Sequence, residues 1–352
     1  MKFLLDSDID EIVERIDSKN KLQGKTILMT GARGFLGRYF IHVIKKVNSN
    51  FENPVKFIGI DNQITSGVLG SDISEDDNIT LIDHDSSNNL KIKEDIDYVI
   101  HAAGIASPHY YRKFPLETLD VAIDGTRNML ELSKEKNAKF TFFSSSEVYG
   151  DPNPENIPTT EEYRGNVSTL GPRSCYDEGK RVGETLCHIY QENFGVSTNI
   201  IRPFNFYGPG MQEKDFRVLP NFGSRIKSQL PLKIYGRGNQ TRTFCYITDA
   251  ITGLFKVVID GRDGEVYNIG NPNPEISMIE LAEMIKKVLG TNVEYEIIDY
   301  PDSYPSDEPN RRCPSIKKAI EHINYSPSVI LEEGLKRFFQ WTNENYEGKQ
   351  WN

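Results

Sequence analysis

Cysteine is scarce in this chain. Cys175, Cys187, Cys245 and Cys313 are its four, with no CxxC pair and no histidine cluster beside them. Disulfide frameworks and zinc sites need grouped thiols, so neither is indicated and no metal is expected. Long apolar runs are also missing. None approaches the roughly 18 residues of a membrane-spanning helix, and the opening MKFLLDSDIDEIVERIDSKNK has acids where a signal peptide has a basic flank and a longer apolar core. Positive charge is outnumbered, with 41 Lys and Arg against 51 Asp and Glu, a net charge of -10. Neither a nucleic acid nor an anionic membrane is drawn to such a surface, so an anionic ligand must be met by local positive groups. The expectation is a cytoplasmic protein with no nucleic-acid partner and no membrane partner.

What is present is enough for a full-sized core: 352 residues, 38% of them hydrophobic. Ile9, Ile12, Val13 and Ile16 recur at helical spacing behind the candidate caps Ser7 and Asp8, which predicts a short amphipathic helix within an N-terminal extension over 1–23. From residue 24 strands and helices alternate: KTILMTG, a helix over about 35–48, VKFIGID, ITLIDHD, DYVIHAA, a helix over about 115–136, KFTFFSSS, a helix over about 174–194, and STNIIRPF. That alternation predicts an α/β fold with a doubly wound parallel sheet, over 24–203 and 243–263. After residue 203 the texture turns to Gly and Pro, as in FNFYGPGMQ and IYGRGNQ, and 204–242 with 264–352 is expected to form a smaller α/β substrate-binding lobe over the sheet's carboxyl edge. The proline-rich stretch 297–315 reads as an ordered loop or lid, with a disordered linker as the alternative.

Two places on this frame carry chemistry. KTILMT runs straight into GARGFLG, which puts Gly31, Gly34 and Gly37 at a strand-to-helix turn. Glycines there let backbone approach a pyrophosphate while the helix N-terminus supplies amide donors, the fingerprint of a Rossmann-type dinucleotide site. VKFIGID ends in Asp61, placed to accept ribose hydroxyls and to repel a 2'-phosphate, which favours NAD over NADP. Arg33, inside the loop, could compensate such a phosphate. Asp85 is a weaker candidate for the adenine edge. The second place is PRSCYDEGKR: on a helix Tyr176 and Lys180 share one face, so an ammonium can favour ionisation of a phenol. KFTFFSSS ends at the same sheet edge, so Ser145, Tyr176 and Lys180 can converge on one substrate hydroxyl, with Tyr176 as base.

GARGFLG, HAAG, SSSEVYG, YDEGK and RPFNFYGPG stand in the order found in the extended short-chain dehydrogenase/reductase family of nucleotide-sugar enzymes, which this chain resembles over about 24–340. Within that family SSSEVYGDP, LGPRSCYDEGKR, PFNFYGPGM, NQTRTFCYITDA and RRCPSIKKA are similar to the group that decarboxylates UDP-glucuronate to UDP-xylose. The resemblance implies NAD as cofactor, a UDP-sugar substrate and a homodimer built through the helices over 115–136 and 174–194. An unpaired monomer would then expose Met129, Leu130, Leu186 and Ile189. It extends the cofactor site to Phe35, Leu36, Asn62, Ala102 and Ala103, and the sugar side to Ser107, Tyr111 and Ser146. It also implies that Tyr176 and Lys180 both border the cofactor, with Lys180 holding the nicotinamide ribose.

The group's chemistry assigns the remaining roles. Oxidation at C4 of a glucuronic acid gives a β-keto acid that loses CO2 once the enolate is stabilised, which calls for a fixed cation. Arg242 resembles the arginine placed near that carboxylate, with a purely diphosphate-binding role as the alternative. Glu147 is expected to order a water or proton near C5. Asn205, Arg217 and Arg312 are expected on the diphosphate, and Tyr235 beside the base. Where sugar-nucleotide dehydratases carry Thr-Asp-Glu, this chain has Ser145, Ser146 and Glu147, and a serine is a poor general acid, which disfavours elimination. One departure stands out: Ala122 replaces the family's helix asparagine. A 4-epimerase or oxidoreductase of the same family remains open, as does a silent NAD-binding regulator.

Overall fold

The computed structural model describes residues 3–66, 73–300 and 309–349. Six strands, β1 (Thr26–Thr30), β2 (Lys56–Asp61), β3 (Ile79–Asp83), β4 (Tyr98–His101), β5 (Lys139–Phe143) and β6 (Thr198–Pro203), are followed by four short ones, β7 (Phe206–Tyr207), β8 (Leu232–Tyr235), β9 (Thr241–Arg242) and β10 (Cys245–Tyr246). β11 (Val266–Ile269), β12 (Ile276–Ser277), β13 (Tyr295–Ile298) and β14 (Arg311–Arg312) complete the set. The helices are α1 (Asp6–Arg15), α2 (Phe35–Asn48), α3 (Pro108–Lys113), α4 (Pro115–Asp120), α5 (Thr126–Lys136), α6 (Ser174–Phe194), α7 (Val218–Lys227), α8 (Ile247–Asp260), α9 (Met278–Leu289), α10 (Lys317–Ile323) and α11 (Leu331–Asn345).

The central sheet has the order β11-β6-β5-β4-β1-β2-β3, and each neighbouring pair is parallel. The chain begins in the middle, winds out to β3, then returns to β4 on the other side of β1. The carboxyl ends of β1 and β4 therefore diverge and open the crevice in which such sheets bind ligands. Side-chain alternation along β1 divides the core in two. Ile27 and Met29 pack in one cluster with α2 and α8, while Leu28 packs in another with Met129 and Leu130 of α5 and Cys187 and Tyr190 of α6. A strand buried on both faces has to be apolar throughout, which is why TILMT reads as a continuous run.

Several expectations change here. β11 falls in the stretch assigned from sequence to the lobe, yet it pairs with β6 and forms the edge of the central sheet. The helix expected over 115–136 is α4 and α5 joined through a π-turn at Val121–Gly125. Met129 and Leu130 are fully buried against the sheet in the monomer, so they offer nothing to a partner; Ile189 remains 38% exposed, beside Phe194 at 50%. Of the stretch 297–315, Ile297 and Ile298 belong to β13 and Arg311 and Arg312 to β14, while 301–308 lie outside the described residues.

The N-terminal helix does more than lean on the body. α1 lies on α2 and α8, and buried polar groups fasten it: the Tyr246 hydroxyl donates to Asp8 Oδ2 at 2.8 Å, Arg15 Nη2 to Asp249 at 2.6 Å and Arg337 Nη1 to Glu11 at 2.8 Å. Burial raises the Asp8 carboxyl from 3.8 to about 6, against the Tyr246 bond and Arg337, which lower it. Because its folded value is the higher one, this group's stabilisation is complete below about 3.8 and is lost as the pH rises through about 6. Asp8→Asn should therefore gain on the parent protein between pH 4 and pH 8, by on the order of 2–3 kcal/mol in urea-unfolding free energy. A difference that does not change with pH would mean that water reaches the carboxylate.

Candidate active site

At the sheet's carboxyl edge lies a cleft of about 910 Å³ that runs from the glycine turn after β1 to Tyr235 at the end of β8. The turn is built for close approach. Gly31 has φ +72°, and a Cβ there would fall 2.9 Å from the Ala103 nitrogen and 3.0 Å from the Ala102 carbonyl; at Gly37 it would fall 2.5 Å from the Ala32 oxygen. Gly34 caps α2, leading into Phe35 and Leu36, and both of these side chains line the cleft. Asp61 Oδ2 accepts from the Arg33 amide at 2.9 Å, and Oδ1 from the Gln63 amide at 2.7 Å. The Arg33 guanidinium is paired with Asp83 at 3.0 Å. A 2'-phosphate would thus meet two carboxylates, and Arg33 is already engaged, so the cradle fits NAD. Asn62 Nδ2 donates to Asp85 at 3.0 Å; burial raises the Asp85 carboxyl, but bonds from Ser87 and Asn62 outweigh it and hold the group low.

Ser145 ends the approach from β5. Its hydroxyl accepts from the Glu147 amide at 3.2 Å and bears on the Tyr176 phenol, whose pKa it lowers. Tyr176 lies in the first turn of α6 with its ring stacked on Tyr111, centroids 5.4 Å apart. Tyr111 is only 1% exposed, so it fixes the Tyr176 ring more than it offers a surface to a sugar. Burial pushes the phenol up to about 12, only partly offset by Ser145. Lys180 does not relieve this as the sequence suggested. Its Nζ donates to the Phe143 carbonyl at 2.7 Å and lies 5.8 Å from the Tyr176 ring centroid, while burial brings it down to about 8. Gly104 makes room for it, since a Cβ there would be 3.1 Å from Nζ. Ala122 has a similar part: a Cβ on Gly179, the residue before Lys180, would be 3.1 Å from the Ala122 methyl, so small residues on both sides let the π-turn and α6 approach.

Next to Ser145 the largest departure appears. Glu147 does not face open water. Arg312, carried by β14, meets it with two bonds of 2.6 Å, and Arg173, at the start of α6, bonds the same carboxylate. Burial alone would raise the Glu147 carboxyl, but Arg173 and Arg312 outweigh it and hold it well below the usual range. The second carboxylate of the cluster goes the other way: burial and the Glu147 charge push Asp177 up, with Arg173 Nε at 3.5 Å. Arg312 is therefore seated on Glu147 and not free for a diphosphate. Arg242 lines the same cleft and donates to the carbonyls of Thr241 at 2.8 Å, Asn310 at 3.3 Å and Pro309 at 2.7 Å. Arg173 and Asp177 escaped the sequence reading, although their i, i+4 spacing brackets Tyr176 in PRSCYDEGKR.

The remaining candidates line the same cleft. Asn205 has φ +45° and donates to the Thr243 carbonyl at 2.8 Å. Arg217 is clasped by Asp215 at 2.9 Å, and its charge also favours Tyr176 ionisation, which sets it near the reacting end and not out along a diphosphate. Tyr235 is stacked on Tyr300 with centroids 5.9 Å apart. Ser146 is buried, and the Ser107 hydroxyl has no hydrogen bond among the described residues.

A parallel sheet with a glycine cradle at its switch point and a Ser-Tyr-Lys set at the same edge defines a nucleotide-dependent enzyme of the dehydrogenase type. The chain belongs to the NAD dependent epimerase/dehydratase family, whose model matches residues 27–270. Among curated relatives it is 39% identical over 315 residues to UDP-glucuronic acid decarboxylase 6 of Arabidopsis thaliana, covering 88% of this chain and 86% of that one. It is 38% identical over 325 residues to UDP-glucuronic acid decarboxylase 1 of Xenopus tropicalis, covering 92% and 73%. Among solved structures it is similar to UDP-glucuronic acid 4-epimerase of Bacillus cereus in complex with UDP-glucuronic acid and NAD, with a TM-score of 0.76 and 29% identity over 91% of this chain and 100% of that one.

Tyr176→Phe should lower turnover by at least about 100-fold, the scale of a lost general base, and leave NAD affinity within about twofold, because proton removal needs the phenol oxygen and the pyrophosphate cradle does not. Turnover near the parent rate would remove Tyr176 from the chemistry.

Proposed function

We propose that this chain is an NAD-dependent UDP-glucuronate decarboxylase that forms UDP-xylose by C4 oxidation, loss of CO2 and re-reduction. The observation that carries the reading is the arginine cluster, Arg173, Arg242 and Arg312, gathered around Glu147 in the cleft that Tyr176 also lines, in a chain 39% identical to a decarboxylase. NAD, when bound, accepts the C4 hydride and later returns it. Ser145 holds the C4 oxygen, Tyr176 takes its proton and gives it back, and Lys180 holds the cofactor ribose. The C6 carboxylate docks on the arginine cluster, where Arg312 or Arg242 stabilises the enolate left when CO2 departs. Arg173 keeps Glu147 ionised and in place while Arg312 turns to the substrate. An anionic Glu147 cannot protonate C5 directly, so it acts by ordering a water there. Ser107 and Ser146 bound the sugar, Arg217 lies towards its reacting end, Asn205 faces the diphosphate, and Tyr235 with Tyr300 flanks the base.

A 4-epimerase is the second reading, favoured by the likeness to the Bacillus cereus enzyme, whose substrate has the same carboxylate. Both readings use Ser145, Tyr176 and Lys180; loss of CO2 separates them. In single turnover with UDP-glucuronate, removing the decarboxylating arginine should slow CO2 release roughly 100-fold to 1000-fold while NADH still forms. Whichever of Arg312→Ala and Arg242→Ala has this split identifies the cation. If NADH formation and CO2 release fall together in both, the two arginines serve binding only.

A homodimer through the outer face of α6, where Ile189 and Phe194 remain exposed, is part of the same proposal. So is a cytoplasmic location, supported by four free cysteines. No helix among the described residues is long and apolar enough to cross a membrane. Sedimentation at micromolar concentration should give the dimer, and a monomer alone would refute it.

A further inference from the structure

The N-terminal segment reaches the cofactor cleft. Phe3 is 9% exposed and forms part of the cleft wall beside Gly34, Gly37 and Arg38. The Arg38 guanidinium lies over the Phe3 ring, 3.9 Å from its centroid, and is itself almost wholly buried. Arg38 Nε donates to the Arg33 carbonyl at 2.9 Å, inside the glycine turn, and the Arg33 amide in turn donates to Asp61. On its other side Phe3 fills the place of a missing side chain, since a Cβ on Gly210 would fall 2.6 Å from the ring. The Tyr39 hydroxyl of α2 donates to the neighbouring Pro209 carbonyl at 2.9 Å, so this loop is already bound to the cofactor helix. Phe3 is thus wedged between α2 and the loop at 208–211.

We propose that Phe3 and Arg38 are positioning residues for NAD: the N-terminal segment braces Arg38, and Arg38 fixes the backbone of the turn that cradles the pyrophosphate. The physics is a stack of dependencies. Asp61 holds the Arg33 amide, and the carbonyl of the same residue is spoken for only while Arg38 keeps its orientation. A guanidinium in a narrow site keeps its orientation best when its flat face rests on an aromatic ring, which also compensates part of its lost hydration. Arg38 additionally places a buried positive charge at the start of α2, where the helix end already favours an anion. The consequence is that residues ahead of the first strand tune cofactor retention, although they touch none of the Ser145, Tyr176 and Lys180 set.

The test measures NAD affinity apart from activity. Phe3→Ala should raise the NAD dissociation constant about tenfold, the scale of a desolvated cation–π contact, and leave UDP affinity within about twofold. Phe3→Leu, which keeps apolar volume and the fold but has no ring face, should weaken NAD nearly as much. Arg38→Lys, which loses both the flat face and the Nε bond, should weaken it by a similar factor, and the double variant Phe3→Ala with Arg38→Lys should be little worse than either single one. Unchanged NAD affinity in Phe3→Ala and Phe3→Leu would overturn the proposal. So would NAD affinity, UDP affinity and the thermal midpoint of the cofactor-free protein all falling together in Phe3→Leu, which would make Phe3 a general packing residue.

Discussion

A carboxylate taken out of water must be matched by fixed positive charge, and the Glu147 side chain sets that condition for the site. Removing an ion from solvent costs several kcal/mol unless partners replace the lost hydration. Here the partners come from two directions: Arg173 from the start of α6, on the sheet domain, and Arg312 from β14, in the lobe. The same ionic knot therefore joins the helix that carries Tyr176 and Lys180 to the strand that carries Arg312 into the cleft. The Glu147 side chain is 17% exposed, and each guanidinium replaces part of the hydration it has given up.

The same burial that stiffens the site sets its proton chemistry. Tyr176 is pushed up to about 12, and Lys180 down to about 8. A phenol this weakly acidic stays protonated at neutral pH and needs positive charge close to its oxygen before it can serve as base. The Arg217 charge supplies part of that help, and the neutral Ser145 hydroxyl lowers the phenol as a hydrogen-bonding group. Lys180 donates to the Phe143 carbonyl, which anchors its ammonium at the end of β5.

Legibility in the sequence followed the range of the interaction. The glycine turn, the strand-end Asp61 and the run of α6 were readable because each depends on neighbours within one turn or one strand. β11 was missed as a sheet strand because Val266–Ile269 is short and owes its place to pairing with β6, far away in sequence. Met129 and Leu130 were read as outward-facing, though α5 turns them onto the sheet; helical period alone does not say which neighbour covers an apolar stripe. The Glu147–Arg312 pair spans 165 residues, and no local pattern announces it. Arg173 was within reach, four residues before Asp177, but its partner Glu147 is on another element.

The central claim is that the clustered arginines turn a C4 oxidation into a decarboxylation. It is tested most directly by running the reaction with UDP-glucuronate in D2O and weighing the product nucleotide sugar. Decarboxylation leaves an enolate that must take a proton from solvent at C5. The account therefore predicts a UDP-pentose that has lost CO2 and carries one solvent deuteron at C5. A UDP-hexuronate that keeps its carboxylate, with only its C4 configuration inverted and no deuterium taken up, would contradict it.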